Sequence, residues 1–331
     1  MHEYLFPTGV IREVEKKLFN YNDMERMIDA EDVNQSFKIF NDLSYADELL
    51  DMGSPEQYRE VLAHDLGQVK NFILTITPDP KVIEFILAPY DFHNLRIIFK
   101  ARLAGKNEIK HTTTLGTISP EKFIKIILAD DRKETLPDDY SKLISQAKEE
   151  ILDNYGPQEI DSYFDQKYFA FVLKKALKIK DKFLINLVKR QIDIANIKII
   201  IRSKLLGRSL AEVKRDFIFG GNLDSQGILA KYEKELAGLV KDMEKVFPER
   251  QLACELNKFL EQQEFWRLEK ALDDYLVRLI NETKMQVAGP AIIVAYFLAK
   301  KNAIKNIRTV MTGKINNIKA QEIKTRVREL Y

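Results

Sequence analysis

The sequence predicts an all-α protein, and three observations favour that fold class. Glycine is scarce, with 13 residues among 331, which is about 4% against an average usage near 7%. Lys, Glu, Leu and Ile are abundant instead. Apolar residues recur at helical spacing, as at Phe123, Ile126 and Ile127. Helix starts are also marked by capping residues followed by proline.

The capping patterns place individual helix starts. Ser54 precedes Pro55 and Gln57, which together predict a cap, a proline at the first helical position and a capping box. Ser119 precedes a proline in the same way, and Ser209 stands three residues before a glutamate. The β-branched run at 198–202 could form a buried strand, but its long helix-forming flanks favour a helix.

Composition excludes several classes of protein. Lys and Arg total 52 and Asp and Glu total 50, so the net charge is +2, while 45% of residues are hydrophobic. A disordered chain would combine low hydrophobicity with a large net charge. A balanced charge also argues against a surface devoted to nucleic acid. The length favours two or three domains.

The sequence indicates neither a metal site nor a cofactor site. Cys254 is the single cysteine, and the four histidines show no metal-binding spacing. The N-terminal residues do not have the pattern of a signal peptide. The uncharged residues 285–299 are too few for the ~20 that a membrane span needs, and we expect them to form a buried helix. These observations predict a soluble, cytoplasmic protein.

One sequence motif occurs three times. Asp91, Asn94 and Gly105 in the first copy correspond, without a gap, to Asp193, Asn196 and Gly207 in the second. The third copy has Asn306 and Gly313, with Ala303 in place of the aspartate. Its interval from asparagine to glycine is seven residues rather than eleven, which predicts a motif helix shorter by about one turn.

Other features recur at the same period. Gly116 and Gly221 follow the first two asparagines and are each followed by a candidate N-cap, while Asp165 and Asp273 precede the second and third asparagines. Repeats of 100 to 115 residues match the usual size of a domain. We therefore expect three helical repeats, at 1–112, 113–208 and 209–331.

The motif helix is apolar nearly all round, which predicts a central, buried position. Asp91 and Asp193 are expected to cap its N-terminus, and the glycines to follow its C-terminus. Its basic residues are interpreted in two ways. They could form internal ion pairs, with Asp165 and Asp273 as candidate partners, or line a cavity that receives another protein.

The three motif copies, the turn at 220–224 and the last thirty residues together resemble the C subunit of bacterial and archaeal V-type (A/V-type) ATPases and ATP synthases, whose eukaryotic counterpart is the d subunit. The resemblance spans residues 91–331. In that family the last copy usually carries an acidic residue where this chain has Lys301, Asn302 and Ala303. That difference leaves one ion pair of the family without an expected counterpart here.

The resemblance implies three pseudo-symmetric helical domains arranged as a funnel. Such a protein lies on the cytoplasmic face of the cell membrane, as a peripheral part of the complex. It links the D and F subunits of the central stalk to the rotor ring of proteolipid subunits. It thereby couples ATP hydrolysis or synthesis to proton or sodium transport, without catalysing a reaction or binding a cofactor. On this basis the candidate partner-binding residues are the basic side chains of the motif copies: Arg96, Lys100, Lys198, Arg202 and Arg308.

Two other classes of function remain open. A helical-repeat protein could bind nucleic acid through its basic segments, residues 174–208 and 300–328, although its net charge is near zero. An enzyme would need a convergent polar site. His93 lies in the first motif copy, but Ala195 and Lys305 occupy the equivalent positions.

Overall fold

Every regular element that the structure describes is a helix. The computed structural model of the protein describes residues 2–42, 54–106, 109–131, 133–151, 155–247 and 249–331. In chain order the α-helices are α1 Leu5–Glu15, α2 Tyr21–Asp29, α3 Val33–Asp42, α4 Tyr58–Ile76, α5 Pro80–Leu103, α6 Pro120–Ile127, α7 Asp138–Ile151, α8 Pro157–Ile179, α9 Lys182–Leu205, α10 Leu210–Asp216, α11 Ser225–Ala230, α12 Leu236–Glu244, α13 Arg250–Gln262, α14 Phe265–Asn281, α15 Pro290–Ile315 and α16 Ala320–Arg326. Short 3-10 helices span His2–Tyr4, Pro55–Gln57 and Glu282–Met285. The predicted all-α class is confirmed, and the run at 198–202 lies inside α9.

The chain folds into two compact units. One unit combines both ends of the sequence, Met1–Asp79 and Phe247–Tyr331, and the other is the continuous segment Pro80–Val246. In the first unit α15 packs against α1, α2, α3, α4 and α14. In the second unit α8 packs against both α5 and α9. The expected division into three repeats and their funnel arrangement stay predictions.

Helices α5, α9 and α15 carry the three motif copies and are named the motif helices here. They have 24, 24 and 26 residues and include much of the buried apolar surface of their units. The residues one and four positions after each motif asparagine are fully buried: Leu95 and Ile98, Ile197 and Ile200, Ile307 and Val310. Burial of the same positions in each copy confirms the expected central place of the motif helix.

The predicted caps have mixed outcomes. Ser209 and Glu212 form the expected capping box at α10, and Ser119 accepts a hydrogen bond from the N–H of Lys122 at α6. The capping box predicted at Ser54 is wrong. Its hydroxyl hydrogen-bonds to the carboxylate of Glu56, and only a 3-10 turn forms before α4 begins.

The uncharged stretch at 285–299 is helical only in part. Helix α15 begins at Pro290, and residues 291–297 are buried within it. Met285 and Val287 precede that helix and are 89% and 81% exposed. Within the described ranges, no helix combines the length and the apolar character needed to cross a bilayer.

Candidate functional site

Each motif asparagine makes the same pair of hydrogen bonds. The side-chain amide of Asn94 donates to the carbonyl of Thr113, and its oxygen accepts from the N–H of the same residue, both at 2.8 Å. Asn196 binds Ile218 through the same two groups at 2.7 and 2.9 Å. Asn306 binds Arg328 at 2.9 and 2.8 Å.

These hydrogen bonds hold non-helical segments against the motif helices. Thr113, Ile218 and Arg328 all lie outside helices, so their backbone groups have no intrahelical partners. A primary amide has both a donor and an acceptor and can satisfy both groups of one residue. The side chains of the three asparagines are fully or almost fully buried. This explains why the motif requires asparagine in every copy.

The motif aspartates also bind backbone N–H groups. These groups belong to the residues four and five positions after the residue that the motif asparagine of the same copy binds. Asp91 accepts from the N–H groups of Thr117 and Ile118 at 3.1 and 3.0 Å, and from the hydroxyl of Tyr140 at 2.7 Å. Burial raises the pKa of the Asp91 carboxyl, and the hydrogen bonds that it accepts act in the opposite direction.

Asp193 repeats this arrangement in the second copy. Its Oδ1 accepts from the N–H groups of Asn222 and Leu223 at 2.6 and 2.9 Å. Gly221 passes so close that an added Cβ would lie 2.2 Å from Asp193 Oδ1. The glycine before each bound segment therefore leaves room for the carboxylate.

The expected capping role of Asp91 and Asp193 is wrong. Helix α5 begins at Pro80 and α9 at Lys182, so both aspartates lie in mid-helix. Asp181 caps α9 instead, accepting from the N–H of Leu184. The two motif carboxylates bind the N–H groups of a distant segment because those of their own helix are already paired.

The two glycines expected at the helix ends of the first two copies are confirmed. Gly105 and Gly207 adopt left-handed φ values of 63° and 64° just after α5 and α9. Lys106 N–H donates to Ala101, and Arg208 N–H to Ser203, as in a Schellman motif.

The expectation for the third copy is wrong. Gly313 lies inside α15, and the left-handed residue is Asn317, with a φ of 53°. Asn317 follows Asn306 by eleven residues, the interval found in the other copies, and Ile318 N–H donates to Gly313 in the same pattern. The third motif helix is not shortened. Asparagine takes the left-handed position because it tolerates that conformation better than most residues.

The basic residues of the first copy form ion pairs within their own unit. Arg96 binds Asp165, and its Nε lies 3.5 Å from Asp161. Lys100 lies 2.6 Å from Asp161. Burial raises the pKa of Asp165, and the charge of Arg96 opposes that shift. Arg96 and Lys100 thus hold α5 against α8, as the internal-pair interpretation expects.

The second predicted acidic partner also forms ion pairs. Asp273, on α14, binds Lys305 of α15 and lies 3.2 Å from Nε of Arg328. Arg328 is the residue whose backbone Asn306 holds. Neighbouring Asp274 accepts from the N–H of Glu329 at 2.8 Å. Neither Asp274 nor Tyr140 was a candidate in the sequence, because neither belongs to the repeated pattern.

The other candidate partner-binding residues differ in environment. Lys198 is half-buried, whereas Arg202 and Arg308 are exposed. Arg308 has no hydrogen bond or ion pair within the described part of the chain. Arg96 and Lys100 share Asp161, whereas Lys198, Arg202 and Arg308 lie on the other two motif helices. Their role in partner binding stays a prediction.

The described residues contain no cluster that could hold a metal ion through three or more His, Cys, Asp or Glu side chains. His93 is exposed, and its Nε2 lies 3.0 Å from the carbonyl oxygen of His111. The recurring polar groups of the motif bind backbone and hold segments in place. Their chemistry is that of structural clasps.

The sequence matches the family model described as "ATP synthase (C/AC39) subunit" over residues 7–326. The chain belongs to this family. Members that it resembles include the C subunit of the V-type sodium ATPase of Enterococcus hirae, 22% identical over 99% of both chains. The C subunit of the A-type ATP synthase of Methanocaldococcus jannaschii is 22% identical over 97% of this chain and 85% of the relative. That of Desulfurococcus sp. is 24% identical over 97% and 89%.

Membership of this family identifies the chain as a subunit of a rotary ATPase or ATP synthase complex. That assignment is consistent with a peripheral, non-catalytic subunit.

Proposed function

We propose that the chain is a non-catalytic subunit of the central rotor. In this role it is a socket that links the D and F subunits of the stalk to the membrane ring of proteolipid subunits. It would transmit rotation between them, and so couple ATP hydrolysis or synthesis to proton or sodium transport. The observation that carries the proposal is the family match over residues 7–326.

The contacts of the motif helices support a mechanical role. Each motif asparagine fastens a separate backbone segment to a long helix, and two of the copies add a buried aspartate to the same segment. Buried polar networks whose members are all satisfied make a structure more rigid. A part that transmits torque needs such rigidity, whereas an enzyme needs a convergent reactive site.

Binding to purified partners tests the proposal. We expect the tagged chain to retain both the purified D–F pair and the purified proteolipid ring, and to show no ATPase activity by itself. A D–F pair denatured and passed over the same resin is the control for non-specific capture. Binding to neither partner, together with tight binding to DNA or RNA that weakens steeply with salt, would instead support the nucleic-acid function.

A further inference from the structure

An open groove of about 830 Å³ follows the C-terminal turns of α5 in the Pro80–Val246 unit. Ile97, Ala101 and Ala104 line it along the motif helix, and Pro157 lines it at the start of α8. Ile97 and Ala101 are four positions apart on one face of α5, and Ala104, just after the helix ends, continues the same stripe. Within the described residues, the groove is therefore an apolar helix face with no helix of this unit over it.

The equivalent position is covered in the other two motif helices. Seven residues after the motif asparagine stand Ala101, Ser203 and Gly313. Ser203 is 1% exposed. Gly313 has Ile323 of α16 against it, so close that an added Cβ would lie 2.7 Å from that side chain. In both copies a seven-residue helix follows the motif helix and packs on it: α10 on α9, and α16 on α15.

The two covering helices, α10 and α16, each have a buried aliphatic residue at the same distance in sequence from the motif asparagine. Val213 of α10 and Ile323 of α16 each follow their motif asparagine by 17 residues, and both are buried. In the first copy, by contrast, Asn94 and its backbone partner Thr113 are 19 residues apart, three fewer than in the other copies. The described residues 109–112 of that segment are not helical. The described part of the first copy thus has the receiving face without the helix.

A basic residue at the groove corresponds to a basic residue of the second copy that forms ion pairs with the covering helix. Arg208, twelve residues after Asn196, lies 2.7 Å from Asp216 and 3.3 Å from Glu212, both on α10. Lys106 is the equivalent residue of the first copy, and it lines the groove together with Lys110 and His111. The side chains of these three residues make no hydrogen bond or ion pair within the described ranges.

We propose that this groove binds an acidic amphipathic helix of a partner protein, in the manner in which α10 covers α9. The bound helix would place an aliphatic residue over Ala101, as Ile323 is placed against Gly313 in the third copy. Acidic residues one position before and three positions after it, matching Glu212 and Asp216, would pair with Lys106 and its basic neighbours. Helices commonly bind to other proteins through such an apolar face in a groove. The inference does not depend on the proposed link to the stalk and ring.

A labelled peptide tests the site directly. The probe is an 18-residue fluorescein-labelled peptide that contains the pattern of Leu210–Asp216, with Lys214 and Arg215 changed to Glu and helix-forming alanine-rich flanks. Its fluorescence anisotropy is measured against the full chain at 50 mM NaCl. We expect saturable binding that weakens about tenfold in Lys106→Glu/Lys110→Glu, because each lost contact between opposite charges becomes a repulsion. Ala104→Glu should weaken it similarly.

Matched controls separate the groove from general attraction to a basic protein. Lys178→Glu makes the charge change of one of the two groove substitutions, at an exposed residue of α8 outside the groove, and should leave the affinity unchanged, whereas its matched single variant Lys106→Glu should weaken it. A second peptide with Val213→Asp keeps the acids and loses the apolar anchor, and should bind at least about tenfold more weakly. Thermal unfolding of each variant confirms that it is folded.

Several outcomes would overturn the proposal. These are the absence of saturable binding, equal binding of the Val213→Asp peptide, or equal loss of affinity in Lys178→Glu and in the groove variants. Vesicles of anionic phospholipid are the remaining comparison. If the groove variants abolish vesicle binding but leave peptide binding intact, the site is a lipid-headgroup site and not a helix site. Retention of the D–F pair is measured separately on the same variants, so failure of either proposal is recognised independently.

Discussion

At the scale of single residues, the motif asparagines carry the most specific chemistry in the molecule. Each satisfies the donor and the acceptor of one backbone residue. An amide side chain offers both groups in the geometry that a backbone residue requires. The recurrence of asparagine is visible in the sequence. Its partners are not, because they follow at 19 or 22 residues and share no residue type.

Replacing Asn196 by leucine should destabilise the fold. The substitution leaves the buried N–H and carbonyl of Ile218 without partners, and each unsatisfied group costs about 1–3 kcal/mol. We expect a loss of about 2–4 kcal/mol in the free energy of unfolding, measured by urea denaturation. Asn34→Leu, at an exposed position of α3, is the control and should change stability by less than about 0.5 kcal/mol. Equal stabilities would show that the clasp contributes nothing.

Substitution of the two motif arginines Arg96 and Arg308 by glutamate should have different effects on stability. Arg96→Glu would place a third carboxylate beside Asp161 and Asp165, and should lower stability by about 1–3 kcal/mol. Arg308→Glu removes no partner within the described residues and should leave the melting temperature unchanged. If Arg308 binds the stalk, this second variant should retain less of the D–F pair. Unchanged retention would remove Arg308 from the candidate partner-binding residues.

At the scale of elements, the third motif helix separates two roles that glycine can have. Gly105 and Gly207 supply a left-handed turn, whereas Gly313 supplies space for Ile323. From the sequence these roles look alike, so alignment on the glycine predicts a short helix. The shared interval is eleven residues to whichever residue adopts positive φ, and asparagine meets that requirement at 317.

A pair of glycine substitutions tests the packing role. Gly67 lies inside α4 with nothing within 4 Å of an added Cβ, so Gly67→Ala should stabilise the protein by roughly 0.5–1 kcal/mol. Gly313→Ala has the same propensity gain but collides with Ile323, and should destabilise it. Thermal unfolding measures both, and Gly313→Ala/Ile323→Ala should recover part of the loss relative to Ile323→Ala alone. If Gly313→Ala stabilised the protein, α16 would be able to move away and make room for the added methyl group.

Helix starts were predictable where a side chain caps its own helix and not elsewhere. Ser119 and Ser209 cap locally, so their sequence context is sufficient. Asp91 and Asp193 have the composition of caps, yet each binds a segment about 25 to 30 residues further along the chain. Local spacing holds no information about a partner at that distance. The groove on α5 was not predictable from the sequence for the same reason. It is recognised by comparison with the other two motif helices, which α10 and α16 cover.

At the scale of the whole molecule, the two compact units differ in continuity. The segment Pro80–Val246 is continuous, whereas the other unit needs both ends of the chain. The order of the three motif copies along the sequence suggests repeats that fold one after another. It cannot show that α15 shares its core with α1 to α4, because such long-range packing leaves no periodic pattern.

The continuous unit should fold by itself. A protein of residues 80–246 lies within the usual size of a domain, and we expect it to unfold in one cooperative thermal transition with helical circular dichroism. Residues 247–331 alone should show no such transition, because α1 to α4, which pack on α15, are missing. Adding residues 1–79 in trans is the matched control and should restore it. A non-cooperative 80–246 segment would contradict the division into two units.

The split unit also has a consequence for synthesis. Residues 1–79 leave the ribosome long before α15 has been made, and some 236 further residues must be added before Ile315 appears. Synthesis proceeds at roughly 5–20 residues per second. The apolar faces of α1 to α4 therefore lack their packing partner, α15, for about 10–50 s. The middle of the chain can finish folding during that interval. We therefore expect the nascent N-terminal helices to be the part of this protein that depends most on a chaperone.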